Sequence, residues 1–439
     1  MSRILLCADG FFRNFSPLAL EPYIQQFVDY LTENGNTVMP YILEDIKHKK
    51  PIKVATRKLR AIYEAKKFAP EIIFSFNNVI EEFFLKNFEC PIYIVASDTP
   101  AYWHNLDLLK KYNKKYFVLY FNDDFKDLLK DKYGIGYDRQ QLLPYSTSIK
   151  TQEIEQDKNI SFIGNFFSIQ KGTIVNLFET LKIYQIPCAK ALFSDYKDMI
   201  QNYLKTGNLD EEMYQVFYNN VSQLFDSIYY INSKLSTDDM SKTKLISKLM
   251  INITNNMRIK LLEKVCDLGL HIYTFVDNMK CCYFSPELFL NIEPENVYST
   301  EQNEYIYNSS KISLNLPHAQ VKTGFSWRVC DILASNSLLI SNGTRDLKEL
   351  CNGIIPTFKD ADDLRNKCKY YLENETERKQ IVKECNKIID EKFRFENAFN
   401  VISDFSGINF KSKDTGSIKN LSFVQRKQDK YIRKNAKKD

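Results

Sequence analysis

Short apolar runs alternate with amphipathic helical stretches through the first third of this 439-residue chain. Each run has the length of a β-strand, and the stretches between the runs have helical periodicity. Strands that alternate with helices pair in parallel, so the pattern predicts an α/β fold with a doubly wound sheet. The predicted strands are residues 4–7, 38–43, 72–76, 92–96, 117–121 and 141–144.

A second α/β pattern begins at residue 160, breaks, and resumes beyond residue 270. The stretch between, about 173–268, has helical periodicity and few strand signals, and we interpret it as a helical insertion. A chain of this length exceeds one ordinary core, so we expect two Rossmann-like domains facing a cleft. The domains are residues 1–150 and 151–405, and a basic, flexible tail covers 406–439. The predicted strands of the second domain are 160–164, 271–276, 312–316, 338–341 and 355–358.

Two helical segments have specific signals. Ser16 followed by Pro17 is an N-cap and a first-turn proline, which predicts the start of a helix over 18–31. The stretch 360–405 has helical periodicity, and we expect residues 393–405 to cross back and brace the first domain.

The composition is that of a folded protein, with 44% hydrophobic and 26% charged residues. The apolar run 4–7 is too short for a signal peptide or a spanning helix, so we expect a cytoplasmic protein. Ten cysteines without a CxxC pair, together with only four histidines, favour reduced thiols and no metal site.

The positive net charge is concentrated in the tail. Residues 411–439 hold ten Lys or Arg against three Asp, whereas the whole chain carries only +5. A basic tail is usually a solvated end, which is the interpretation we favour, but it can also lie against the anionic inner face of a membrane. We expect no nucleic-acid partner.

Loops at the carboxyl ends of parallel strands are the usual location of sites in open α/β sheets. Asp9 follows the first predicted strand, and Asp98 follows the fourth. Both carboxylates are therefore candidates for a cleft site. For Asp98, an ordinary turn or cap before Thr99 and Pro100 is an equally good explanation.

The most informative segment runs from Asn315 to Asp331. The chain contains no GxGxxG, Walker, GxSxG or HExxH motif, which argues against dinucleotide, P-loop, serine hydrolase and zincin chemistry. In this segment a strand ends, a loop crosses, and a helix begins. Gly324 lets the backbone approach a ligand closely, Ser326 can cap the helix, and Arg328 adds a cation. The segment therefore predicts a diphosphate-binding site.

Two acidic residues extend this candidate site. Asp331 lies in the first turns of the predicted helix, where a carboxylate can accept hydrogen bonds from ribose hydroxyls. Glu349 opens the next helical region across the following strand. Taken alone, each is more often a helix-dipole or salt-bridge partner.

The run from Gly324 to Ser337, GFSWRVCDILASNS, resembles the "GfslRvfEalAsGa" pattern of GT-B glycosyltransferases. The resemblance is strongest to the group similar to the spore maturation protein CgeB and its glycosyltransferase family 4-like relatives. It covers about the last 170 residues and extends to the strand that ends at Gly164. It implies that Asp331 contacts the nucleotide ribose, and that the loop from Lys322 through Gly324 and Phe325, with Arg328, approaches the diphosphate and the sugar.

Two positions depart from the family pattern. Asp331 replaces the usual glutamate, and Asn336 replaces a glycine. The glutamate that retaining family 4 enzymes place eight residues earlier falls at Thr323. The stereochemical outcome is therefore left open.

These observations favour a metal-independent transfer of sugar from a nucleotide sugar to a surface glycan or glycoprotein, with no cofactor. If the enzyme inverts, Asp98 or Asp9 is the candidate base, and His318 is a weaker candidate because loop histidines more often only donate hydrogen bonds. A sugar-nucleotide epimerase and a non-catalytic nucleotide-sugar-binding or scaffold protein are the alternatives.

Overall fold

The structure is a computed structural model that describes residues 2–9, 20–43, 51–100, 103–166, 189–206, 210–227, 242–274, 285–295, 297, 299–318, 324–411 and 416–418. Two parallel sheets organise it, with seven and five strands, and the predicted α/β fold is thereby confirmed. The carboxyl ends of the strands carry the loops that form the cleft.

The first sheet has the order β12-β2-β1-β3-β4-β5-β6, and all its strands are parallel. Strands β3 and β4 are buried along their whole length, as expected for a sheet covered on both faces. The strands are β1 (Arg3–Asp9), β2 (Thr37–Leu43), β3 (Ile72–Phe76), β4 (Ile92–Ala96), β5 (Tyr116–Tyr120), β6 (Gln140–Leu142) and β12 (Ser417–Ile418).

Helices cover both faces of this sheet and produce two cores. On one face Phe27 packs edge-to-face on Phe74, with ring centroids 5.2 Å apart. On the other, Phe84 and Leu129 belong to the cluster that covers β4 and β5. The helices are α1 (Pro22–Glu33), α2 (Pro51–Phe68), α3 (Glu82–Asn87), α4 (Leu106–Lys111) and α5 (Lys126–Tyr133).

The second sheet has the order β11-β10-β9-β7-β8 and is also parallel. Its strands are β7 (Lys158–Ile163), β8 (Leu270–Tyr273), β9 (Ser310–Asn315), β10 (Leu338–Asn342) and β11 (Thr357–Phe358). The described residues of the predicted insertion form α6 (Ala189–Thr206), α7 (Glu211–Ser227) and α8 (Lys242–Glu263). The helices described after it are α9 (Pro286–Leu290), α10 (Thr300–Asn308), α11 (Arg328–Leu333), α12 (Arg345–Leu350), α13 (Ala361–Glu373) and α14 (Glu375–Lys392).

Helix α15 (Phe395–Ser406), the last helix among the described residues, returns to the first domain as predicted. Phe399 stacks on Tyr30 with ring centroids 4.7 Å apart, and it also contacts Phe27. The predicted start of a flexible tail at residue 406 is wrong, because Phe410 is fully buried in this core and β12 pairs with β2. Residues 395–411 and 416–418 therefore pack with the first domain.

Two predicted elements have clearly different bounds in the structure. Helix α1 begins at Pro22, and Ser16 and Pro17 lie outside the described residues. The strand predicted over 355–358 has only two paired residues. None of the described helices is both long and apolar enough to cross a membrane.

Candidate functional site

A cavity of ≈ 420 Å³ lies between the two domains. The first domain contributes the residues that follow β4 and β5, and the second contributes the ends of β7 and β9 together with residues 325–328. This volume is within the usual range for small-molecule sites. The cavity therefore lies where the sequence predicted the cleft.

Two arginines of the second domain line this cavity. Arg328 opens α11, and Arg258 reaches the cavity from α8 of the insertion. Only 5% of Arg258 is exposed, and its Nε and Nη2 donate to the Leu316 carbonyl at 2.9 and 2.7 Å. Burial and the neighbouring Arg328 lower the pKa of Arg258 to about 9. Two cations that disfavour each other's charge produce a wall suited to an anion.

His318 lies on the same wall. Burial, and then the positive charge of Arg258, lower the pKa of His318 to about 4. The imidazole is consequently neutral near pH 7, and an acid–base role would require it to accept a proton beside a cation.

Two aspartates of the first domain line the cavity as well. Asp98 follows β4 and Asp124 follows β5, so each occupies the carboxyl end of a neighbouring strand. Asn77, from the loop after β3, holds Asp98 through its side-chain amide: its Nδ2 donates to Asp98 Oδ2 at 2.8 Å. Carboxylates on one wall and guanidinium groups on the other give the cavity two chemically different sides.

An aromatic stack joins the domains beside the cavity. Tyr145 stacks on Phe121 of the first domain at 4.9 Å and on Phe325 of the second at 4.2 Å. The hydroxyl of Tyr145 accepts a hydrogen bond from the Phe325 backbone amide at 3.4 Å. Gly324 has a φ of +69°, and a Cβ there would lie 2.9 Å from Tyr145 Oη and 3.2 Å from Asn122 Nδ2. The loop that carries Gly324 thus approaches the first domain as closely as a glycine permits.

Asp331 lies in the domain interface and does not line the cavity. Its side chain is fully buried, and its Oδ1 accepts hydrogen bonds from Thr147 Oγ1 at 2.5 Å and from Gln26 Nε2 at 3.4 Å. A ribose contact through Asp331 therefore remains a prediction that would require the interface to open. Desolvation raises the pKa of this carboxyl to about 7, and the bonds from Thr147 and Gln26 oppose the increase.

The other predicted residues have different positions. Ser326 does not cap α11, because its Oγ donates to Asn315 Oδ1 at 3.1 Å and the helix begins at Arg328. Glu349 does not open α12: Thr344 is the N-cap, and the Glu349 side chain is 70% exposed beside Arg345. The structure thus brings Phe325, Ser326, Arg328, His318 and Asp98 to the cavity, and leaves Glu349 outside it.

Three further predicted residues are not among those that line the cavity. Gly164 follows β7, and a Cβ there would lie 2.5 Å from the ring of Phe162, which lines the cavity. Asp9 is the last residue of β1, in register with Leu43 of β2. Lys322 lies outside the described residues.

Sequence reasoning missed Arg258 and Tyr145. Arg258 is a single arginine in a long helix that carries no recognised motif. Nothing in the sequence around it distinguishes it from a solvent-exposed arginine. Within the described part of the chain, no group of three or more His, Cys, Asp or Glu side chains could hold a metal ion.

Comparisons with known proteins agree with this architecture. Residues 285–401 match the glycosyl transferase-like family. None of the curated proteins matches the sequence significantly. Among solved structures, the Anabaena protein Alr3699/HepE in complex with UDP-glucose has a TM-score of 0.50 at 9% identity, covering 92% of this chain and 100% of that one.

Two further structures are similar over comparable lengths. WaaG, a glycosyltransferase involved in lipopolysaccharide biosynthesis, has a TM-score of 0.48 at 9% identity over 92% of this chain and 100% of that chain. A glycosyltransferase from Rickettsia africae has a TM-score of 0.44 at 11% identity over 93% and 100%. The two parallel sheets and the similarity to the HepE structure show the GT-B fold of two Rossmann-like domains, and residues 285–401 match the glycosyl transferase-like family.

Proposed function

We propose that this protein is a glycosyltransferase that moves a sugar from a nucleotide sugar to a glycan or protein acceptor without a metal ion, within the CgeB-like group. The observation that carries the proposal is the two-sided cavity. Arg258 and Arg328 of the second domain line one side, and Asp98 and Asp124 of the first domain line the other.

The arginine side suits the donor. A leaving nucleoside diphosphate gains negative charge as its bond to the anomeric carbon breaks, and fixed cations in a water-poor site stabilise that charge. Arg258 is held by backbone carbonyls before any ligand arrives, so little reorganisation is needed. Two guanidinium groups supply charge that a metal ion would otherwise supply.

The aspartate side suits the acceptor. A hydroxyl must lose its proton as it attacks, and a carboxylate within hydrogen-bond reach can accept that proton. Asp98 is the base that we favour, because its backbone and side chain are both held in place. Asp9 stays a second candidate, and His318 is the weakest because of its lowered pKa.

Donor binding tests the proposal. UDP-glucose is the first probe, because the HepE structure contains it, and other nucleotide sugars follow. We expect stabilisation against thermal unfolding, which reaches about 2.7 kcal/mol at ~100 times the dissociation constant. Arg328→Gln should weaken binding at least tenfold. Arg345→Gln is the matched control, because Arg345 is 75% exposed and outside the cavity.

Several outcomes are informative. If no nucleotide sugar binds, or if Arg328→Gln and Arg345→Gln bind equally well, the donor site is wrong. Turnover of donor without an acceptor would favour an epimerase, and binding without transfer to any acceptor would favour a non-catalytic protein. Membrane contact through the basic residues of 419–439 stays a prediction, because those residues lie outside the described part of the chain.

A further inference from the structure

Asp98 is fixed on both its backbone and its carboxylate. Its amide donates to Asn77 Oδ1 at 3.0 Å, while Asn77 Nδ2 donates back to Asp98 Oδ2 at 2.8 Å. The carbonyl of Asp98 accepts a hydrogen bond from the indole of Trp103 at 2.7 Å. One asparagine side chain thus holds two atoms of the residue that lines the acceptor side of the cavity.

The loop that carries Asn77 has an unusual backbone. Asn77 and Asn78 are consecutive residues with φ values of +46° and +57°. This left-handed conformation is strained for a residue other than glycine, although asparagine tolerates it better than most. Two such residues in succession must be stabilised by the surrounding contacts.

Those contacts come from the loop between β4 and α4. The buried Asn78 donates through Nδ2 to the carbonyls of His104 and Asn105 at 2.7 and 3.2 Å. The amide of His104 donates to the Asn77 carbonyl at 3.0 Å. Asn105, which also has a positive φ of +48°, donates to the Ile80 carbonyl at 2.9 Å. The loops after β3 and β4 therefore hold each other in one conformation.

This backbone conformation points the side-chain amide of Asn77 at Asp98. A glycine would relieve the backbone cost at residue 77 but would provide neither hydrogen bond to Asp98. Ordinary turn formation explains the strain at one residue, whereas the paired bonds to a carboxylate in the cavity wall indicate that the side chain has its own role.

We propose that Asn77 is a positioning residue for Asp98, which it orients as the acceptor of the proton in sugar transfer. The inference depends on the proposed function. In that step the acceptor oxygen bonds to the anomeric carbon, and the bond from that carbon to the diphosphate breaks. The diphosphate leaves with the electron pair, and the hydroxyl proton passes to the Asp98 carboxylate.

Asn77→Gly is the sharpest test, because glycine adopts the positive φ without strain and removes only the side chain. Asn352→Gly is the matched control: Asn352 has a φ of +52°, lies after α12 and is remote from the cavity lining. Both variants relieve a strained asparagine, so any difference between them reports on the contact with Asp98.

Two measurements separate the inference from the proposed function. The first is a carboxyl ¹³C NMR titration of Asp98, assigned with Asp98→Asn. Since a donated hydrogen bond favours the charged carboxylate, Asn77→Gly should move the titration midpoint of Asp98 to higher pH, whereas Asn352→Gly should leave it unchanged. Among the described residues, the charged and titratable groups that line the cavity with Asp98 are Tyr23, Asp124, Tyr145, Arg258, His318 and Arg328, and all remain in both variants.

The second measurement is the pH dependence of transfer. Asn77→Gly should lower kcat by about tenfold or more and move the acidic limb to higher pH, with the donor KM unchanged. A titration midpoint unchanged by Asn77→Gly, or kinetics equal to those of Asn352→Gly, would overturn the positioning role. A wild-type protein that binds no nucleotide sugar would instead overturn the proposed function, so the two failures occur in different measurements.

Discussion

The Thr147 hydroxyl donates a hydrogen bond to the buried carboxylate of Asp331 at 2.5 Å, and this bond joins the segment after β6 of the first domain to helix α11 of the second. Gln26 of α1 completes the contact, because its Oε1 accepts from the Ser148 amide at 2.7 Å and its Nε2 reaches Asp331. Within the described residues, Asp331 Oδ2 has no hydrogen-bond partner. The two domains are therefore connected by a polar contact that is sensitive to ionisation.

The stability of the protein should depend on the protonation of Asp331. Its pKa is raised from 3.8 to about 7, so the folded state retains a proton that the unfolded chain loses. The stabilisation is complete below the unfolded value and is lost as pH rises through 7. We expect the free energy of unfolding of the wild type, relative to Asp331→Asn, to fall by about 2–3 kcal/mol between pH 5 and pH 8. Urea unfolding at both pH values measures it, and an equal difference at the two would contradict it.

Gly324→Ala should destabilise the protein more than Gly353→Ala. Both glycines have a positive φ, +69° and +79°, so each substitution has a backbone cost of about 1 kcal/mol. Only at Gly324 would the added Cβ meet a neighbour, Tyr145 Oη at 2.9 Å, whereas nothing lies within 4 Å at Gly353. Urea unfolding gives the free energy of unfolding of both variants, and the additional loss in Gly324→Ala measures how closely the loop approaches the first domain. Equal losses would show that the loop moves away freely.

The ring of Tyr145 should contribute more to the free energy of unfolding than its hydroxyl does. Tyr145→Phe retains the contacts with Phe121 and Phe325 and loses one hydrogen bond of 3.4 Å, so we expect a loss below about 1.5 kcal/mol. Tyr145→Ala removes the ring and should cost about 3–5 kcal/mol. Chemical unfolding checks both, with Tyr137→Ala as the control because Tyr137 is 51% exposed. Similar losses for Tyr145→Phe and Tyr145→Ala would assign the stabilisation to the hydroxyl.

The strands and helices of this fold follow from the local pattern of apolar residues. Their positions could therefore be predicted from the sequence. Strands β3 and β4 have the predicted bounds because continuous apolar residues between helices are typical of a sheet covered on both faces. The cleft follows from the same pattern, since carboxyl ends of parallel strands share one edge. Phe410 and β12 were missed because two paired residues after a loop carry no periodicity.

The site was predicted less completely, because side-chain direction depends on contacts distant in sequence. Asp331 has the expected place near the start of a helix, but packing against Thr147 and Gln26 turns it into the interface. Arg258 reaches the cavity from α8 and donates to the carbonyl of Leu316 just after β9, and no local signal in the sequence marks that contact. Arg328 was found because a glycine-containing loop before a helix is itself a local pattern.

His318 should stay neutral down to acidic pH. Burial and Arg258 lower the pKa of His318 to about 4, so its imidazole Cε1–H resonance should not titrate near 6.5. Removing the positive charge with Arg258→Gln should raise the midpoint, although not to the ordinary value, because burial is the larger cause. Arg258→Lys retains the charge and should leave the midpoint low. The titration midpoint of each of the four histidines can be measured by NMR. A midpoint near 6.5 for His318 in the wild type would show that water reaches the imidazole, and would strengthen His318 as a candidate base.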